Sequence, residues 1–280
     1  MDDTTRLRDL ARRLADVYDD HTRPRAVLLT GSAATGGADQ YSDIDLILYY
    51  DELPTTRALD RAREAAGGAA PRLLWPPDEG NHIEAFDLEG VQCQLAHTTI
   101  AAWEGELDQV LVDLDVESPL QKALEGLLDG LPLRGEETIA EWRARAEDYP
   151  VALQRAMIER HWRFFPIWAV HEHVATRDAA LWRRRILVDS VYDLLAVLAG
   201  LNRVYFTSFQ LKRTGKLVAR LELAPRDLGR RIEELFALDD AAAAAELEAL
   251  VTETHVLVAG HLPDLGLEVP RPTGQVRSPE

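Results

Sequence analysis

Two aspartates, Asp43 and Asp45, stand at alternate positions in SDIDLILYY, a run whose Ile, Leu and Tyr content otherwise suits the interior of a sheet. Strand side chains alternate faces, so both carboxylates project from one side while Ile44 and Leu46 point the other way. Two adjacent carboxylates repel each other unless a divalent cation lies between them, and hard oxygen ligands of this kind suit Mg²⁺. Magnesium in such sites keeps water and substrate phosphates as its remaining ligands. Upstream, Gly31 permits a tight turn with close backbone approach. Ser32 offers a hydroxyl and an N–H at the start of a short helix, where a phosphate is welcome. A phosphate cradle and a metal site are therefore expected on consecutive strand ends.

The surrounding elements must place these groups. Leu7, Leu10, Leu14 and Val17 recur at helical spacing and predict an amphipathic helix over about 4–19. Strands follow at Ala26 to Thr30 and Ile44 to Tyr50. A helix opens at Pro54 and ends at Gly67-Gly68. RLLW, HIEAFDL and VQCQLAH then read as strands, the last two turning at Glu89-Gly90. Beyond Thr99 the periodicity is helical almost to the end. The expected organisation is a sheet domain over 1–115, a helical substrate-binding domain over 116–262, and a loose tail over 263–280 whose PRPTGQVRSPE lacks apolar periodicity. The fold class is α/β (α+β).

At 280 residues and 46% apolar content the chain supports two cores. A formal charge of −17 repels phosphate backbones, which disfavours nucleic acid as a partner and favours a cationic small molecule. Cys93 is the single cysteine and reads as a small core residue, so no internal disulfide forms. The N-terminus lacks the apolar core of a secretory signal, and no run approaches membrane-crossing length. A soluble, cytoplasmic protein is expected.

Gly31-Ser32, ten residues, then Asp43-Ile44-Asp45 resembles the signature of nucleotidyltransferases with the DNA polymerase beta fold. The helical half, with LLAVLAGLNRVYF ahead of Lys212, resembles the substrate domain of aminoglycoside and lincosamide nucleotidyltransferases. The resemblance implies a polymerase-beta-like sheet domain followed by an all-helical domain. It implies that Asp43 and Asp45 hold Mg²⁺, and that Gly31, Ser32, Ser42 and Lys212 hold the triphosphate of ATP or another NTP. An acceptor hydroxyl then attacks the α-phosphorus. Relatives often build the site across a homodimer, an option the resemblance extends to this chain.

Family members usually carry a third carboxylate on a later strand, where this sequence has Gln92 and Gln94. Glutamine cannot act as a base at neutral pH. Glu84 or Asp87 on the preceding strand, or Glu159, Glu172 or Asp189 in the helical half, are the alternatives. Glu84 is favoured because it interrupts the apolar pattern of HIEAF; the remaining alternative is a chain with little or no catalysis. His171-Glu172-His173 lacks the i,i+4 spacing of a helical zinc site. Arg183-Arg184-Arg185 and Lys216 read as solvated charges.

Overall fold

Strands that read AVLLT and IDLILYY are apolar on both faces, so the sheet they build must be covered on both sides. The computed structural model describes residues 2–76, 80–175 and 177–271, the side chains of 173–175 excepted, and these two strands are indeed covered on both sides. The chain divides into two units, Met1–Tyr149 and Pro150–Glu280.

The first unit runs α1 (Asp3–Thr22), β1 (Ala26–Thr30), α2 (Gly31–Thr35), β2 (Ile44–Tyr50), α3 (Thr56–Ala66), β3 (Ala69–Trp75), β4 (Asn81–Leu88), β5 (Val91–Thr99), α4 (Ile100–Leu111), α5 (Gln121–Asp129), β6 (Leu131–Arg134) and α6 (Glu136–Glu147). The strands form one sheet in the order β3-β4-β5-β2-β1-β6. All neighbours are antiparallel except β2 and β5, which run parallel. Leu7, Leu10, Leu14 and Tyr18 of α1 and Leu59 of α3 pack on one face against Leu29, Ile44, Leu46 and Leu95. On the other face, Tyr49 meets Trp103 of α4 and Trp142 of α6 with ring centroids 5.5 and 4.7 Å apart.

That second cover corrects the expected boundary near residue 115. The segment 116–149 adds β6 to the sheet edge beside β1 and completes the layer over Tyr49, so it belongs to the first unit. Gly135 makes the return possible: its φ is +65°, and a Cβ there would lie 2.3 Å from the carbonyl oxygen of Arg25.

The second unit comprises α7 (Val151–His161), α8 (Ile167–Ala175), α9 (Ala180–Leu201), α10 (Thr214–Val218), α11 (Leu228–Leu235) and α12 (Asp240–His261), with 3₁₀ turns at Ser208–Arg213 and Pro263–Leu265. Its core holds Leu153, Met157, Leu194, Leu198, Leu247 and Val251. The expected tail does not begin at 263. Arg155 pairs with Asp264 at 2.9 Å, Trp162 Nε1 donates to the Glu268 carbonyl at 2.8 Å, and His255 meets the Leu267 carbonyl at 2.8 Å. Residues 272–280, which carry the rest of the expected tail, lie outside the described residues. Among the described residues no helix is long and apolar enough to cross a membrane.

Candidate functional site

Asp45 sits in β2 with Thr30 of β1 on one side and Gln94 of β5 on the other. Gln94 in turn faces Ala85, and Gln92 faces Asp87, on β4. Because paired residues share a face, Asp45, Gln94, Gln92 and Asp87 occupy one side of the sheet. Asp43 stands one residue before β2, near enough for its charge to act on Asp45. Asp45 is mostly buried, and that burial, followed by the charge of Asp43, pushes its carboxyl up to about 6 against a pull downward from Lys122. Among the described residues, no hydrogen bond or ion pair reaches the carboxylate of Asp43 or Asp45. The two are thus charged neighbours that no turn amide satisfies.

Gly31 opens α2 with φ +73°, and a Cβ there would stand 2.7 Å from Asp45 Oδ2. Only glycine lets the chain turn this close to the carboxylate. Arg8 of α1 secures the far end of α2, its guanidinium donating to the carbonyls of Ala33 at 2.8 Å and Ala34 at 2.6 Å. The loop into β2 is braced by Asp39, whose Oδ1 accepts from the Tyr41 N–H and the Ser42 hydroxyl at 3.0 Å each. Ser42 Oγ also accepts from the Asp39 N–H at 2.9 Å, so this hydroxyl shapes the loop. A cavity of about 220 Å³ adjoins Asp43, lined also by Arg6, Gln40 and Gln92.

The structure therefore brings Gly31, Ser32, Ser42, Asp43 and Asp45 together and separates Glu84 from them. Glu84 faces Leu95, which faces Leu46, so it lies on the α1 side of the sheet. There it is 3% exposed and accepts from Tyr18 Oη at 2.8 Å, Arg63 at 2.7 Å and His97 Nε2 at 3.1 Å. Burial alone would raise its carboxyl; the bonds from His97, Tyr18 and Arg63 outweigh that and hold it low. Glu84 is the hub of a buried polar network and cannot reach the site. Cys93 is a core residue as expected, its thiol pushed up to about 12 by burial and then by the nearby aspartates.

The helical alternatives belong to the second unit. Glu159 and Glu172 are exposed, and Asp189 pairs with Arg185 at 3.2 Å. Lys212 Nζ stands 5.5 Å from the ring centroid of Phe209. His171 Nδ1 meets the Trp168 carbonyl at 3.0 Å, and the His173 side chain lies outside the described residues. Arg183 pairs with Asp240 at 2.9 Å.

Sequence reasoning missed Lys122. In α5, Gly126 lies flat against Thr30, where an added Cβ would touch Cγ2 at 3.5 Å, and Gly130 lies against Leu28. Helix and strand are thus antiparallel, which carries Lys122 past the end of β1 toward Gly31 and Asp45. Its Nζ pairs with the buried Glu125 at 2.6 Å. The glycines at 126 and 130, one helical turn apart, are the only trace of this packing in the sequence.

Among the described residues no group of three or more His, Cys, Asp or Glu side chains could hold a metal. What the site offers is two hard carboxylates without protein partners, a donor set that fits a divalent ion completing its shell with water and phosphate.

Residues 10–125 match the family model of the nucleotidyltransferase domain, a span that contains Gly31-Ser32, both aspartates and Lys122. No curated protein matches the chain. Among solved structures it is similar to a nucleotidyltransferase-like protein from Exiguobacterium sibiricum 255-15, at 12% identity over 91% of this chain and 79% of that one, with a TM-score of 0.34. The matched span lies inside the first unit, and what it supports for this chain is similarity to the nucleotidyltransferase domain over residues 10–125.

Proposed function

We propose that the chain transfers a nucleoside monophosphate, AMP from ATP, to a hydroxyl of a small molecule, releasing pyrophosphate. The observation that carries this reading is the pair of coupled, partnerless carboxylates beside the Gly31 turn. Asp43 and Asp45 would hold Mg²⁺, which when bound neutralises charge on the phosphates and the leaving oxygen. Gly31 leaves the backbone open to a phosphate, Ser32 lends its hydroxyl, and Lys122 supplies a cation at the same strand end. The acceptor oxygen bonds to the α-phosphorus as the bond to the β-phosphate oxygen breaks. With Glu84 on the far face, Asp87, which pairs with Arg72 at 2.9 Å, is the strand carboxylate on the site's own face and would take the hydroxyl proton. The charge of −17 suits a cationic acceptor such as an amino sugar antibiotic.

Calorimetry with Mg²⁺ and a nonhydrolysable ATP analogue tests the site. Replacing Asp43 and Asp45 together by Asn abolishes metal-dependent binding, and undiminished binding refutes the assignment. One observation favours a second reading. Gln94, which cannot take a proton, stands directly beside Asp45, as in a nucleotide-binding protein without turnover. That reading predicts ATP binding with no pyrophosphate released for any small-molecule, protein or RNA acceptor.

A further inference from the structure

Helix α2 carries Ser32, yet a turn of five residues forms too few internal bonds to offset the cost of its own nucleation. The N–H groups of Gly36 and Gly37 both donate to the Ser32 carbonyl. Among the described residues this leaves the carbonyls of Ala33 and Ala34 without a backbone donor. Both residues are buried, where an unpaired carbonyl costs stability. One side chain takes both. Arg8 Nε donates to Ala33 at 2.8 Å and Nη2 to Ala34 at 2.6 Å, a two-point grip that the planar guanidinium makes and an ammonium does not.

The grip is anchored firmly. Leu7, Leu10 and Ala11, on either side of Arg8 in α1, belong to the core against the sheet and are at most 3% exposed. Acidic residues outnumber basic ones in this chain by 48 to 31, yet among the described residues Arg8 pairs with no carboxylate. Its guanidinium is given over to α2. Gly31 and Gly36, left-handed at φ +73° and +82°, bound the turn, so its two ends are pivots rather than clamps. The bonds one and two residues beyond Ser32 therefore set the direction in which its hydroxyl and N–H point. Arg8 precedes residues 10–125, the span similar to the nucleotidyltransferase domain.

We infer that Arg8 is a positioning residue for the nucleotide, holding the Ser32 turn at the angle at which it receives a phosphate. The inference rests on the nucleotidyl-transfer reading. Hydrogen exchange on the nucleotide-free full chain and calorimetry with a nonhydrolysable ATP analogue and Mg²⁺ test it. In Arg8→Ala the amides of Gly36 and Gly37, which close the turn, exchange about tenfold faster and the analogue binds about tenfold more weakly, as for loss of a hydrogen bond from a charged donor. The amides of β1 and β2 exchange as in wild type. Arg8→Lys keeps the charge and one donor, so its affinity lies between the two, and it carries the test should Arg8→Ala fail to fold. Arg12→Ala, which removes an exposed arginine of the same helix paired with Asp9, binds the analogue as wild type does. Wild-type affinity in the Arg8 variants overturns the inference alone, as does unchanged exchange at Gly36 and Gly37 or an equal loss of affinity in Arg12→Ala. A wild-type chain that binds no analogue overturns the nucleotidyltransferase reading and the inference with it.

Discussion

Asp45 and Glu84 are both mostly enclosed carboxylates in neighbouring strands, yet their surroundings drive them in opposite directions. Glu84 has three donors and is held low; Asp45 has none and is pushed up to about 6. For Asp45 the native state holds its proton more tightly than the unfolded chain, whose value is 3.8, so stability falls as pH rises through roughly 4 to 6. Asp45→Asn should therefore stabilise the metal-free protein by about 1–2 kcal/mol at pH 8, and by almost nothing at pH 4. Thermal melts at the two pH values check this, and added Mg²⁺ should raise the melting temperature of wild type only. Glu84→Gln acts the other way, removing the buried one of the two carboxylates that pair with Arg63, Asp60 being the other, at a cost of about 2 kcal/mol in denaturant titration. The face taken by Asp45 was legible because alternation in a strand is a strict rule. Glu84 was misread because a lone acid in an apolar strand looks the same whether it faces a substrate or a buried arginine. The two-residue turn at Glu89-Gly90, with φ +51° and +78°, nonetheless sets Leu88 opposite Val91 and hence Glu84 opposite Leu95.

At the scale of elements, the β1–α2 junction is where backbone and chemistry meet. Gly31→Ala imposes a left-handed conformation on alanine and drives its methyl into Asp45 Oδ2, so about 1–2 kcal/mol of stability should be lost along with metal-dependent nucleotide binding. Chemical denaturation paired with calorimetry separates the two effects, since the strain alone leaves most molecules folded. The strands and the first three helices were legible from period and turn residues, with boundaries within a few positions. The role of α5 was not. Its apolar face is that of any amphipathic helix, and only the packing of Gly126 on Thr30 reveals that Lys122 lies at the site.

For the molecule as a whole, the boundary expected at 115 followed from the change to helical text, but helices also cover sheets. LPLR, four residues with a proline, was too short to read as the sixth strand. A fragment of residues 1–149 should melt cooperatively with a structured near-ultraviolet spectrum, whereas 1–115, lacking β6 and Trp142 over Tyr49, should not. The single parallel pairing in the sheet sets the order of events during synthesis. Asp45 gains its Gln94 neighbour only when β5, some fifty residues later, has left the ribosome. Until then β1 and β2 can form no more than a greasy hairpin with both flanks open, and the nascent chain must be kept from pairing those flanks with another copy of itself.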